Sequence, residues 1–204
     1  MTQNSKILVL DFGSQYTQLI ARRVRECKVY SEIFPYNASL GKIKSFNPKG
    51  IILSGGPSSV YDKEAPVPDK GIFDIGIPIL GICYGMQLMA YLFGGKVRKA
   101  DQREYGKALL FIDNRVDLFK GIPKKTTVWM SHGDKIDRVP KDFITIAHTS
   151  NSPIAAMANS RKRFYALQFH PEVVHTDKGT EILKNFLFRI CRCNPSWTIS
   201  SFIE

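Results

Sequence analysis

The chain has 204 residues, 44% of them hydrophobic and 23% charged, enough for one sizeable domain with a buried core and short for two. No apolar run approaches the ~20 residues of a membrane span, and the opening MTQNSKILVLDFG lacks the cleavage site of a signal peptide, so a cytoplasmic protein with no membrane partner is expected. Lysine plus arginine exceed aspartate plus glutamate by 29 − 18 = 11, but the basic residues are scattered, and charge alone is a weak warrant, so no nucleic-acid partner is expected.

In chain order, KILVLDF reads as a first buried strand, followed by a helix from Gln15 to Glu26 with apolar residues at near-helical spacing. VYSEIF is a second strand and SLGKIKSF a short helix. GIILSGG is a third strand, fully buried and ending in glycines, and IPILGI a fourth. The helix that starts near Tyr84 stops at Gly94-Gly95, a C-terminal signal. From about Lys96 the pattern changes: KVRKA, GKALLFI, TVWMS, FITIAHT, PIAAMA and RFYALQF are strand-like with short turns. Arg161-Lys162-Arg163, between the last two, reads as a solvated hairpin turn. A final helix from about Asp177 to Cys193 carries Ile182, Leu183, Phe186, Leu187 and Ile190 on one face. The tail NPSWTISSFIE has no period. The alternation predicts an α/β fold, a central mostly parallel sheet flanked by helices, with an additional antiparallel portion.

The four cysteines, Cys27, Cys83, Cys191 and Cys193, show no CxxC spacing and no nearby histidine cluster, which argues against a zinc site or a disulfide framework. Cys27 and Cys191 fall on helical apolar positions as buried thiols. Cys83 differs. It lies between Gly81 and Gly85 where strand gives way to helix, the G-x-C-x-G form of a nucleophile elbow. The helix start behind it favours thiolate, and its first N–H groups can face an oxyanion.

Two further segments fit that nucleophile. In YALQFHPEVVH, His170 ends a strand and Glu172 lies two residues on, across Pro171. Extended i and i+2 side chains share a side, so Glu172 can orient His170 as the base. His175 has no such carboxylate. In ILSGGPSS, Gly55 and Gly56 can bring bare backbone to a substrate oxygen. The loop lacks GxxxxGK[ST], and DFGSQ lacks GxGxxG, so no phosphate loop is present.

With GGP, G-x-C-x-G-x-Q and F-H-P-E in place, the chain resembles the class I (triad) glutamine amidotransferases, whose fold is flavodoxin-like. The resemblance covers residues 6 to 193. It narrows, through DFGSQY, LSGGPSSVY, REYGKA, WMSHGDKI and LQFHPEVVHTDKGTEILKNFL, to those amidotransferase domains that feed ammonia to an ATP pyrophosphatase (synthetase) domain converting XMP to GMP. The resemblance implies Cys83 as nucleophile, His170 as base and acid, and Glu172 as its orienter. It implies an oxyanion hole from the N–H groups of Gly56 and Tyr84, with glutamine held by Gly55, Gln87, Ser131, His132 and Gly133, and Asp134 turned toward a partner domain. No metal or cofactor is implied for this domain; ATP and Mg belong to the synthetase domain, which is absent, and the full-length enzyme is expected to be a homodimer. Residues 1–193 are expected to form the amidotransferase domain and 194–204 the start of a linker. An amidotransferase component for another acceptor, of the anthranilate or carbamoyl phosphate type, is the alternative enzyme reading. A catalytically silent regulatory module is the alternative from another class, and an intact triad speaks against it.

Overall fold

The computed structural model describes residues 5–115 and 117–198, with the side chains of residues 101–103 left aside. Nine strands form one mixed sheet among the described residues. The parallel portion holds β1 (Lys6–Asp11), β2 (Tyr30–Pro35), β3 (Gly50–Leu53), β4 (Ile79–Ile82) and β9 (Phe164–Leu167), in the order β2-β1-β3-β4-β9. The antiparallel portion continues it through β8 (Ala156–Asn159), β7 (Ile144–His148), β5 (Lys96–Ile112) and β6 (Lys125–Arg138). Strand β9 joins the two portions: it runs parallel to β4 and antiparallel to β8.

The two faces of β1 show why its run is apolar throughout. Successive side chains point to opposite faces of a strand. Ile7 and Val9 enter one core with Ile20, Ala21 and Val24 of helix α1 (Thr17–Glu26) and with Ile182 and Phe186 near the C-terminus. Leu8 and Leu10 enter the other core with Ile43 of α2 (Leu40–Phe46) and with Met86 and Met89 of α3 (Tyr84–Leu92). A strand covered by helices on both faces leaves no position for a polar residue. The α/β fold with a parallel core and an antiparallel extension is the one expected.

Three details differ from the expectation. KVRKA and GKALLFI belong to one strand, β5, whose pairing with β6 is irregular between Lys99 and Glu104. Strand β6 runs on past the expected TVWMS and takes in His132, Gly133 and Asp134. The final helix is α4 (Gly179–Lys184) followed by a π-helical turn, Asn185–Ile190. The i, i+4 spacing of Ile182, Phe186 and Ile190 fits either winding, so periodicity alone does not separate them. The unpatterned tail also makes contacts: the Trp197 N–H donates to the Lys28 carbonyl, and its ring lies 6.1 Å from that of Tyr30 on edge strand β2.

Parallel strands deliver their C-terminal ends to one edge of the sheet, where ligands bind in open α/β folds. The ends of β1, β3, β4 and β9 therefore bring Ser14, the Gly55-Gly56 turn, Cys83 and His170 together. Segment 131–134 of β6 closes the far side of the same depression.

Candidate active site

Cys83 occupies the tight turn between β4 and α3, with φ 51° and ψ −104°. A side chain rarely adopts this backbone, and such strain clusters at functional positions. The flanking glycines are required by contact with backbone. A Cβ on Gly81 would lie 2.7 Å from the Gly85 carbonyl, and one on Gly85 would lie 2.6 Å from the Leu53 carbonyl oxygen. The turn is pinned on both sides: the Cys83 N–H donates to Leu167, and the Gly85 N–H to Ser54. The next two helical donors, Met86 and Gln87, bond the Cys83 carbonyl. The Tyr84 N–H is left without a partner among the described residues.

The second bare donor comes from the β3 turn. The Ser54 hydroxyl donates to the Gly55 carbonyl at 2.8 Å and accepts from the Phe12 N–H at 3.0 Å. A trans peptide points its N–H opposite to its C=O. Fixing the Gly55 carbonyl therefore aims the Gly56 N–H the other way, and that N–H too is unpaired among the described residues. Gly55 itself fills a narrow gap, since a Cβ there would sit 3.2 Å from His170 Cε1 and 3.6 Å from Cys83 Cβ.

His170 and Glu172 are both buried, with Nδ1 of the ring 2.7 Å from Glu172 Oε1. The other carboxylate oxygen, Oε2, is buried without a hydrogen-bond partner among the described residues, so the carboxylate is directed at the ring. Burial works against a charged imidazole, yet the Glu172 carboxylate and the neighbouring Cys83 outweigh it and raise His170 to about 10. The backbone of the pair is clamped as well. The His170 N–H donates to the Trp129 carbonyl, and the Thr176 hydroxyl donates to the His170 carbonyl at 2.6 Å. Arg23 of α1 donates Nε–H to the Glu172 carbonyl at 2.9 Å, and the Tyr16 ring packs edge-on against His170 at 5.1 Å.

These groups open on a cavity of about 560 Å³ lined by Gly56, Cys83, Gln87, Ser131, His132 and Gly133, among others. The residues expected at the site come together here. Most line the cavity or, like Tyr84, adjoin Cys83 in the turn; Gly55 lies between Cys83 and His170, and Glu172 stands behind His170. Gln87 reaches across to donate its amide N–H to the Asp134 carbonyl at 3.0 Å. Asp134 lines the cavity too, its carboxylate accepting from Ser59 at 2.6 Å.

Several supporting residues escape a reading of the sequence. Gln168 is fully buried, places its amide nitrogen 3.8 Å from Cys83 Sγ, and accepts from Gln87 at 3.5 Å. Its position two residues before His170 in YALQFH, which reads as a strand from sequence, was the available signal, because i and i−2 of an extended segment share a side. Ser54, Thr176 and Arg23 act through backbone carbonyls, and no local pattern marks them.

The model of the class I glutamine amidotransferase family matches residues 8–190. The chain belongs to the class I glutamine amidotransferases. This amidotransferase is 58% identical over 201 residues to the glutamine-hydrolysing GMP synthase of Acetivibrio thermocellus, and 60% identical over 198 residues to that of Caldanaerobacter subterraneus. Those alignments take in 98% and 97% of the chain, which spans 39% of the length of each relative. Among solved structures, a Thermoplasma acidophilum protein assigned to GMP synthase as one of its subunits superposes with a TM-score of 0.81 at 33% identity, covering 94% of this chain and 96% of that one. A glutamine amidotransferase from Thermotoga maritima shares the fold, with a TM-score of 0.68 at 20% identity over 95% of this chain and 87% of its own.

Proposed function

We propose that this amidotransferase hydrolyses glutamine to glutamate and ammonia, and that the ammonia converts XMP to GMP on an ATP-dependent synthetase domain. The observation that carries the reading is the strained Cys83 turn, set beside the buried His170–Glu172 pair and two unpaired backbone N–H groups.

Cys83 Sγ attacks the side-chain amide carbon of glutamine once its proton has passed to His170. Negative charge then grows on the amide oxygen. The N–H groups of Gly56 and Tyr84 are preset to receive it, which lowers the barrier without rearranging solvent. The proton on His170 passes to the departing nitrogen, so ammonia leaves and a γ-glutamyl thioester remains on Cys83. Water attacks that thioester with His170 as base, releasing glutamate and restoring the thiol. Glu172 holds the ring and stabilises its charge at each transfer. Gln87, Ser131, His132 and Gly133 hold the rest of the glutamine.

The synthetase step takes its support from the GMP synthases this chain resembles; ATP and Mg would be bound by that domain. Residues 1–193 would form the glutaminase unit and 194–204 lead toward the synthetase, in full-length enzymes that pair as dimers. The test is glutamate release from glutamine by wild type and Cys83→Ala, alone and with a synthetase domain, XMP and ATP. Release by wild type that disappears in Cys83→Ala is expected. No release under either condition would sink the reading.

A further inference from the structure

Glu104 and His132 are direct cross-strand partners in the β5–β6 ladder, and both are buried. A carboxylate taken out of water needs partners for its oxygens. Glu104 Oε1 accepts from Thr149 at 2.9 Å and Oε2 from Ser152 at 2.7 Å. His132 Nε2 lies 3.2 Å from the same Oε2, off the axis of a linear hydrogen bond. Burial works to raise the Glu104 carboxyl, but the adjacent His132 ring and the Ser152 and Thr149 hydroxyls together hold it below the usual range.

Nothing in this cluster reaches the reacting atoms. Its other end does reach the cavity wall. His132 Nδ1 lies 2.9 Å from the Asp134 carbonyl oxygen, which can only accept, so the ring donates there. The same carbonyl receives the Gln87 amide, and the Asp134 carboxylate receives Ser59 from the β3 loop. One residue thus joins three walls of the cavity. With Nε2 committed to Asp134 and facing Gln168 Oε1, the Gln87 amide has one orientation, and its Oε1 has no protein partner among the described residues.

We propose that Glu104 is a positioning residue for glutamine binding: through the His132 ring it fixes the Asp134 carbonyl, and so presents Gln87 Oε1 and the 131–134 backbone to the substrate. The proposal rests on the glutaminase reading above. Glu104→Gln keeps the geometry, because one amide N–H can meet His132 Nε2 while the other meets Ser152, and Oε1 still accepts from Thr149. Glu104→Ala leaves the ring free to turn. His132→Asn can keep a donor near the position of Nδ1, whereas His132→Ala cannot.

The experiment is calorimetric titration of glutamine into the Cys83→Ala chain, which binds without turnover, with each substitution added. In the Cys83-containing chains, the rate of Cys83 alkylation by iodoacetamide is measured in parallel. Loss of a single orienting hydrogen bond predicts about tenfold weaker binding for Glu104→Ala and His132→Ala. Glu104→Gln should stay within about threefold of the parent, and His132→Asn should bind more tightly than His132→Ala, with alkylation unchanged throughout. If Glu104→Ala does not fold, the His132 pair decides the matter. The inference fails if Glu104→Ala binds within about twofold of the parent, if His132→Asn is no better than His132→Ala, or if alkylation slows in step with binding. A Cys83→Ala chain that binds no glutamine either alone or with a synthetase domain, XMP and ATP would overturn the glutaminase reading itself.

Discussion

Ser54 shows how much chemistry a single hydroxyl can direct without touching substrate. Its donation to the Gly55 carbonyl sets the plane of one peptide, and that peptide carries the Gly56 N–H proposed for the oxyanion. Removing an oxyanion donor outright costs roughly 10²–10³ in kcat. Removing only its orienter lets the peptide rotate part of the time, so Ser54→Ala should lower kcat by about tenfold with KM for glutamine nearly unchanged. Steady-state glutamate release decides it, and a change confined to KM would place Ser54 outside the oxyanion hole. The residues expected at the site were legible because nucleophile, base and orienter each lie in a short motif with its own chemical reason. Ser54, Thr176, Arg23 and Gln168 were not legible as participants. Three of them act through carbonyls, and a carbonyl carries no sequence signal. The Glu104–His132 pair lies 132 − 104 = 28 positions apart, and only strand register joins it.

At the scale of elements, contact between β3 and α3 determines where the nucleophile stands. Gly85, in the first turn of α3, has no room for a Cβ against the Leu53 backbone. Backbone cannot swing aside like a flexible side chain, so Gly85→Ala must push α3 and Cys83 off the sheet. We expect a loss of about 1–3 kcal/mol in stability, in the range of overpacked cores, measured as a drop in urea midpoint. Gly41 is the contrasting case: it lies in α2 with open space around its Cβ position. Gly41→Ala should raise stability by about 0.5–1 kcal/mol through the lower helix cost of alanine. Equal effects at the two positions would mean that packing against Leu53 is not what demands glycine. The parallel strands were legible as short apolar runs, two of them closed by glycine, because burial on both faces leaves little room for any other composition. The single span of β5 was not, because its middle carries charged and polar residues from Lys99 to Glu104 that read as an interruption. The strand character of His132–Asp134 was hidden for a related reason: glycine and aspartate are poor strand formers, and it is the pairing of His132 and Asp134 with β5 that holds the segment extended.

For the molecule as a whole, the buried His170–Glu172 pair couples folding to pH. An unfolded histidine titrates near 6.5, while in the fold His170 is raised to about 10 by Glu172 and Cys83 against the pull of burial. A group whose folded pKa lies above its unfolded value binds its proton more tightly in the native state. Its stabilisation is therefore fully present below pH ~6.5 and is lost as pH rises through about 10. The chain carries a formal charge of +11 at pH 7, so a simple pH melt would mix this effect with relief of self-repulsion as lysines begin to lose their protons. Subtraction separates them. His170→Asn shares the same lysines and arginines and lacks the titrating ring, so the difference in unfolding free energy between wild type and variant isolates the histidine. That difference should fall steadily between pH 6.5 and about 10, whatever the absolute curves do, and urea melts at closely spaced pH values would trace it. A difference that stays flat would mean that the fold holds no proton at this pair beyond those the unfolded chain holds. A falling difference would mean that the fold holds one proton more than the unfolded chain, with the His170 ring charged before substrate binds.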